Sequence, residues 1–247
     1  MTIRRMPDLK SSIAIVALLA LVTTFALLGR WQLTRAEVNR ALEARYVEYR
    51  QLPALDGPVA TSDLASARWR GIAVSGSYHP EIQVLLDNMT RDGIVGYEVL
   101  TPFLATGDRR ALLINRGWVA ADLDRSKLPP VGLDHNITQL SGIVDNLPRA
   151  EIQLGESLPQ RSGSLVVLSF PDAEAIEAAL GVDVYGYQIL LDSAEPAGFE
   201  RNWPPPQGRA ERNLAYAVQW FALACLAAVL AVGAIYRARC NARDQRA

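Results

Sequence analysis

Two uncharged apolar runs, one near each end, decide what this 247-residue chain can fold into. Ser11–Gly29 reads SSIAIVALLALVTTFALLG, with no charge between Lys10 and Arg30, and Leu214–Tyr236 reads LAYAVQWFALACLAAVLAVGAIY. At the helical rise the two reach roughly 28 Å and roughly 34 Å, against roughly 30 Å of bilayer hydrocarbon. Inside lipid only a helix pairs its own backbone groups without leaving an open edge, so both runs are expected as transmembrane helices. Neither has a polar face, which argues against core helices of a soluble protein. The first run is longer than a signal-peptide core, and Leu27-Leu28-Gly29-Arg30-Trp31 offers no small-x-small cleavage site, so an uncleaved anchor is expected in place of a signal peptide.

Orientation follows from the short tails. Arg4, Arg5 and Lys10 stand in tail 1–10, and Arg237, Arg239, Arg243 and Arg246 in tail 237–247, each set against one acid. Basic short tails stay in the cytoplasm, which places helix 11–29, helix 214–236 and an exported domain 30–213 between them. The lack of an amphipathic Arg- and Ser-rich segment before Ser11 points to a bacterial cytoplasmic (inner) membrane. A net charge of −1 gives no electrostatic footprint for nucleic acid, so the expected partners are the lipid bilayer and other proteins. Cys225 and Cys240 both fall outside the middle domain, which therefore has no disulfide and must hold by its core.

After the first anchor, Trp31, Val38, Leu42, Tyr46 and Tyr49 keep a helical spacing, so the helix is expected to continue to Gln51. Pro53 to Ser66 has loop composition. From Trp69 the period changes to two. Ile72 and Val74, Val84 and Leu86, Val95–Phe103, Ala111–Val119, Ile137–Val144, Leu165–Phe170 and Val184–Leu191 are strand candidates bounded by turn residues. A short helix over Asp172–Leu180 is stopped by Gly181. The fold class is thus two transmembrane helices flanking an α+β domain rich in antiparallel strands, or a small β-barrel.

The domain holds no catalytic constellation. His79 and His135 lack neighbouring ligands at metal spacing, and Ser126-Lys127 are adjacent in a charged loop, so their side chains point apart. Nucleophile-elbow, zincin, phosphate-loop and dinucleotide fingerprints are missing, so the chain is not read as an enzyme and no metal is expected. Asn88-Met89-Thr90 and Asn136-Ile137-Thr138 fit the glycosylation acceptor pattern, a triplet common by chance.

What recurs is short strings rich in Trp, Arg, Gly and Asn. Leu28-Gly29-Arg30-Trp31-Gln32-Leu33-x-Arg35 closes the first anchor. Gly93-x-x-Gly96-Tyr97-x-Val99-x-Thr101-Pro102-Phe103 precedes Asn115-Arg116-Gly117-Trp118-Val119, and Tyr216-Ala217-x-Gln219-Trp220-Phe221-Ala222 opens the second anchor. In this order, with Trp203-Pro204-Pro205 before the second anchor, they resemble the surfeit locus family of cytochrome oxidase assembly proteins. The resemblance implies a membrane chaperone of respiratory chain biogenesis, acting where haem a reaches the catalytic subunit of a haem-copper oxidase of the cytochrome c type. Its implied partners are the oxidase subunits and the haem a synthesis machinery, and its motif residues here are Trp31, Gln32, Arg35, Gly96, Pro102, Asn115, Arg116, Gly117, Trp118, Tyr216, Gln219 and Trp220. The family's usual haem-ligating histidine falls at Asn213 in this chain, and an amide is a poor iron ligand. That departure leaves a haem-independent scaffold as the alternative. On their own chemistry, Trp31 and Trp220 are expected to bracket a planar group or anchor the helices at the outer face. Gln219 is expected to face the other anchor or a partner helix, and Arg116 to pair with a propionate or a carboxylate of its own domain.

Overall fold

The computed structural model describes residues 9–133, 137–148, 160–169, 173–206 and 209–244. Its first element, α1 (Leu9–Gln51), is one uninterrupted helix of 43 residues that ends just before Leu52-Pro53, where proline bars the preceding residue from helical backbone. There follow β1 (Leu55–Asp56), α2 (Leu64–Ala67), β2 (Gly71–Tyr78), β3 (Gln83–Arg91), β4 (Ile94–Ala105), β5 (Ala111–Ala120), β6 (Gln139–Asn146), β7 (Gln160–Ser162), β8 (Leu165–Leu168), α3 (Ala173–Leu180), β9 (Val184–Leu191) and α4 (Ala210–Asp244). The chain divides into two compact units. One joins α1 as far as Arg45 to the chain after Pro206; the other is Tyr46–Pro205.

In the first unit α1 and α4 pack as a pair, and both are long and apolar enough to cross a membrane. The less exposed positions alternate in steps of three and four: Val22, Phe25, Gly29, Gln32 and Ala36 on α1; Ala210, Asn213, Ala217, Trp220, Ala224, Ala227 and Ala231 on α4. That spacing is the 3.5-residue seam of a coiled coil, and its small residues let the backbones approach closely. Phe25 stacks on Trp220 with ring centroids 5.7 Å apart. A Cβ on Gly29 would meet the Phe221 ring at 2.9 Å. Since a helical side chain leans toward the start of its own helix, this contact one turn beyond Phe25 makes the two helices antiparallel.

The second unit is a barrel with an outer sheet. Five strands close on themselves in the order β2-β6-β9-β5-β4 and back to β2. The pairings are antiparallel except β5 with β9. Closure hides every edge within the ring. Its interior is filled by Ile72, Val74, Phe103, Leu112, Ile114, Leu140, Val144, Tyr187 and Ile189. β5 is buried on both faces, because Leu113 points instead into a second core beneath α3 with Leu100, Val166, Ile176 and Leu180. That explains the unbroken apolar run Ala111–Ile114. β3, β8 and β7 extend from β4 outside the ring. Pro102 stands where β4 exchanges one partner for another, after the Leu100↔Val84 pair with β3 and before the Phe103↔Tyr78 pair with β2. Its missing N–H falls in the gap between the two ladders.

β9 and the stop of α3 match expectation; Gly181 adopts φ +73° and donates to Glu177 O at 2.8 Å. The stretch expected as loop from Pro53 to Ser66 instead carries β1, paired in parallel with β2, and α2, because Leu55, Val59 and Leu64 pack onto the barrel core. Asp172, His135 and Asn136 lie outside the described residues.

Gly96 sits where a Cβ would come within 2.3 Å of Val119 O and 2.4 Å of the Trp118 indole. Neither backbone nor a packed ring yields cheaply, so Gly96→Ala is expected to destabilise the barrel by about 3 kcal/mol and lower its thermal midpoint by roughly 6–12 °C in a calorimetric scan.

Candidate functional site

Three of the motif strings come apart into two places. In the helix pair, only Gln32 and Trp220 among their motif residues face the seam; Trp31, Tyr216, Gln219 and Arg35 are exposed. Trp220 therefore stacks on Phe25, and Trp31, 60% exposed, does not bracket a group with it. Gln219 faces away from α1, which leaves a partner helix as the side of the expectation that the geometry allows. Gln32 and Asn213 each lie two helical turns from the Phe25–Trp220 stack, on the side away from the chain termini, and so share one level of the seam. The Gln32 Oε1 is buried there without a hydrogen-bond partner. At this level the seam carries two amides between alanines and a glycine. It carries no imidazole, since the chain's two histidines are His79 and His135, and Cys225 is exposed away from the seam. The residues present do not form an axial ligand set for haem iron.

The strand string Asn115-Arg116-Gly117-Trp118 is a β-bulge. Glu98 pairs with Trp118 and Leu100 with Asn115, so β5 inserts one extra residue against β4. Gly117 takes the required φ of +114°, and its N–H donates to Asn115 Oδ1 at 3.1 Å. A Cβ there would meet Glu200 O at 2.7 Å, because Trp118 and Glu200 form a bridge at this point. Trp118 Nε1 donates to Met89 O at 2.6 Å.

Arg116 is 2% exposed, and its guanidinium serves neutral acceptors alone. Nε donates to Ala197 O at 2.8 Å; Nη1 donates to Gln83 Oε1 at 3.0 Å and Val131 O at 2.9 Å; Nη2 reaches Gly132 O at 3.3 Å. Its face lies 4.9 Å from the Phe199 ring centroid. The expected carboxylate or propionate partner is replaced by loop carbonyls, because two loops fold over the bulge and need a multiple donor to fix them. Burial pulls the Arg116 pKa below the usual guanidinium range.

On β5's other side Asn115, fully buried, donates through Nδ2 to Glu98 Oε2 at 2.8 Å and Gln188 Oε1 at 2.9 Å. Gln188 Nε2 in turn donates to Asn146 O at 3.0 Å. Glu98 and Gln188 line a cleft of about 420 Å³ together with Arg68, Asp145, Leu147, Pro148, Leu190, Trp203 and Pro204. Arg68 Nε pairs with Asp145 Oδ1 at 2.7 Å, and Trp203 Nε1 donates to Leu191 O at 2.9 Å. Arg68 is presented by Trp69, whose φ of +69° is strained for a bulky residue. Burial raises the Glu98 pKa above the usual carboxylate range, offset in part by the Asn115 hydrogen bond and by Arg91. Sequence reading passed over Glu98 and Gln188. The signal was there: each is a lone polar side chain inside an apolar strand run.

Residues 19–225 match the model of the SURF1 family. The match takes in about half of each apolar run and the whole barrel, and the chain belongs to the SURF1 family. An uncharacterized SURF1-like protein of Mycobacterium bovis and two from strains of Mycobacterium tuberculosis are each 27% identical over 227 residues, covering 88% of this chain and 80% of theirs.

Two outcomes test the barrel site. Arg116→Lys keeps the charge but strands several loop carbonyls, and is expected to cost about 3 kcal/mol in denaturant unfolding. Because the Glu98 pKa is raised, the stability its neutral form contributes is present below the ordinary carboxylate range and is lost as pH rises through the folded value. Glu98→Gln is therefore expected to equal the wild type at acid pH and to exceed it at neutral pH, measured by urea midpoints across that range.

Proposed function

We propose that this chain is a membrane-bound assembly factor for a haem-copper oxidase of the cytochrome c type, acting where haem a reaches the catalytic subunit. Membership of the SURF1 family, over a span that includes the barrel and part of both apolar helices, carries the reading. The same reading makes it a chaperone of the bacterial inner membrane with both termini in the cytoplasm and the barrel outside. Its partners are the oxidase subunits, the haem a synthesis machinery and the bilayer; nucleic acid is not among them. In this reading the role is not enzymatic.

A second reading is favoured by one observation: Asn213 and Gln32 occupy the seam level where the family pattern has a histidine. In that reading the protein is a haem-independent scaffold that holds oxidase subunits during assembly. One set of measurements decides both. Deletion of the gene is expected to lower haem a absorbance in membranes, and normal oxidase with full haem a would sink the assembly role. The purified protein, produced with haem a, is expected to show no ligated Soret band, while Asn213→His gains one. A ligated band in the wild type would remove the scaffold reading.

A further inference from the structure

The cleft beside the β5 bulge is a shaped and charged space that the oxidase reading does not use. Glu98 is its centre. Asn115 holds Oε2, while Oε1 accepts no hydrogen bond among the described residues. Asn115 cannot turn to change this, since Gln188 and the Gly117 N–H fix both ends of its amide. The carboxylate is thus aimed before any ligand arrives, and no cation among the described residues completes it. Arg68 is engaged by Asp145, and Arg91 by the side chain and carbonyl of Glu200, at 3.2 Å and 2.9 Å. Among Arg68, Glu98 and Asp145 the cleft keeps one net negative charge.

Its other wall is flat and apolar. Trp203 is pinned through its indole N–H and flanked by Pro204, with Leu190 and Pro148 nearby. An aromatic ring that lines the same cleft as a carboxylate oxygen suits a planar cation, which stacks on the ring while donating to the carboxylate. We propose that this cleft receives one guanidinium or ammonium side chain from a partner polypeptide. One carboxylate oxygen and one ring give a free amine only millimolar affinity or weaker, so the pocket becomes useful when the cation is carried on a larger docking surface. The assignment does not depend on which complex that partner belongs to.

The test uses the full chain in detergent micelles and saturation-transfer NMR with three probes: acetyl-Gly-Arg-Gly-amide, the citrulline peptide of the same shape, and agmatine. Expected is binding of the arginine peptide at roughly millimolar concentration, about tenfold weaker binding of the neutral citrulline peptide, and agmatine weaker than the arginine peptide. Glu98→Gln, which can still accept from Asn115, is expected to weaken the arginine peptide about tenfold. Leu190→Trp, which fills the cleft and leaves its charges in place, is expected to abolish binding. Equal binding of arginine and citrulline peptides, undiminished binding in either variant, or no binding to the wild type would overturn the proposal. Agmatine binding as tightly as the peptide would make the cleft a small-amine site and overturn the polypeptide assignment.

Discussion

A strand that gains one residue against its neighbour must turn a side chain out of step, and β5 does this at Asn115–Gly117. Among the described residues, nearly every fully buried side-chain hydrogen bond of the second unit passes through that step. Asn115 is committed to the Gly117 N–H, Glu98 and Gln188, so it ties β4, β5 and β9 together across the barrel wall. Arg116, on the opposite side, gathers carbonyls from the segments around Val131 and Ala197. Gly117 leaves the room that lets Glu200 pair with Trp118. The string Asn115-Arg116-Gly117-Trp118 is therefore a piece of backbone geometry with its three side chains serving as fixings, which is why it reads so unlike the apolar strand before it.

The barrel supplies the rigidity this arrangement needs. A closed ring of five strands has no edge to fray, and β5 lies at its most buried point, covered by the ring's interior on one face and the α3 core on the other. A guanidinium with no anionic partner is tolerable at that depth only because fixed carbonyls replace its water shell. Were the loops at 131–132 and 197–199 free to move, the desolvation cost would drive Arg116 outward.

Local patterns made much of this legible. The apolar runs, the alternation in β2 and β9, and the Gly181 stop depend on neighbours in the chain, and each carries its own signature. Barrel closure does not, since the short Gly76–Tyr78 pairing with β4 joins residues far apart in sequence and has no composition of its own. β1 and α2 were hidden for the same reason: a segment rich in proline and small residues becomes regular only by packing on the finished core. Arg116 was expected to find a carboxylate because charge pairing is the common solution, and loop carbonyls that converge on it cannot be read along the chain. Glu98 and Gln188 were visible as interruptions, yet only the bulge shows that both answer to Asn115.

The two polar groups that the fold does not need are the ones that point to function. Gln32 buries an acceptor without a partner in a seam where leucine would pack, a cost of about 1–3 kcal/mol for such an atom. Glu98 keeps a carboxylate where burial opposes its charge. Arg116 and Asn115, also polar and buried, are fully engaged and repay their burial in hydrogen bonds. Fold stability thus accounts for the second pair and runs against the first. Gln32 closes the string that ends the first apolar helix and shares its level with Asn213; Glu98 stands one bulge away from Asn115. Both lie beside residues of the strings that carry the family resemblance, and both present a single unused acceptor. In the reading proposed above, each offers that acceptor to a donor from outside the chain, which is how a protein that holds other molecules in place would be built.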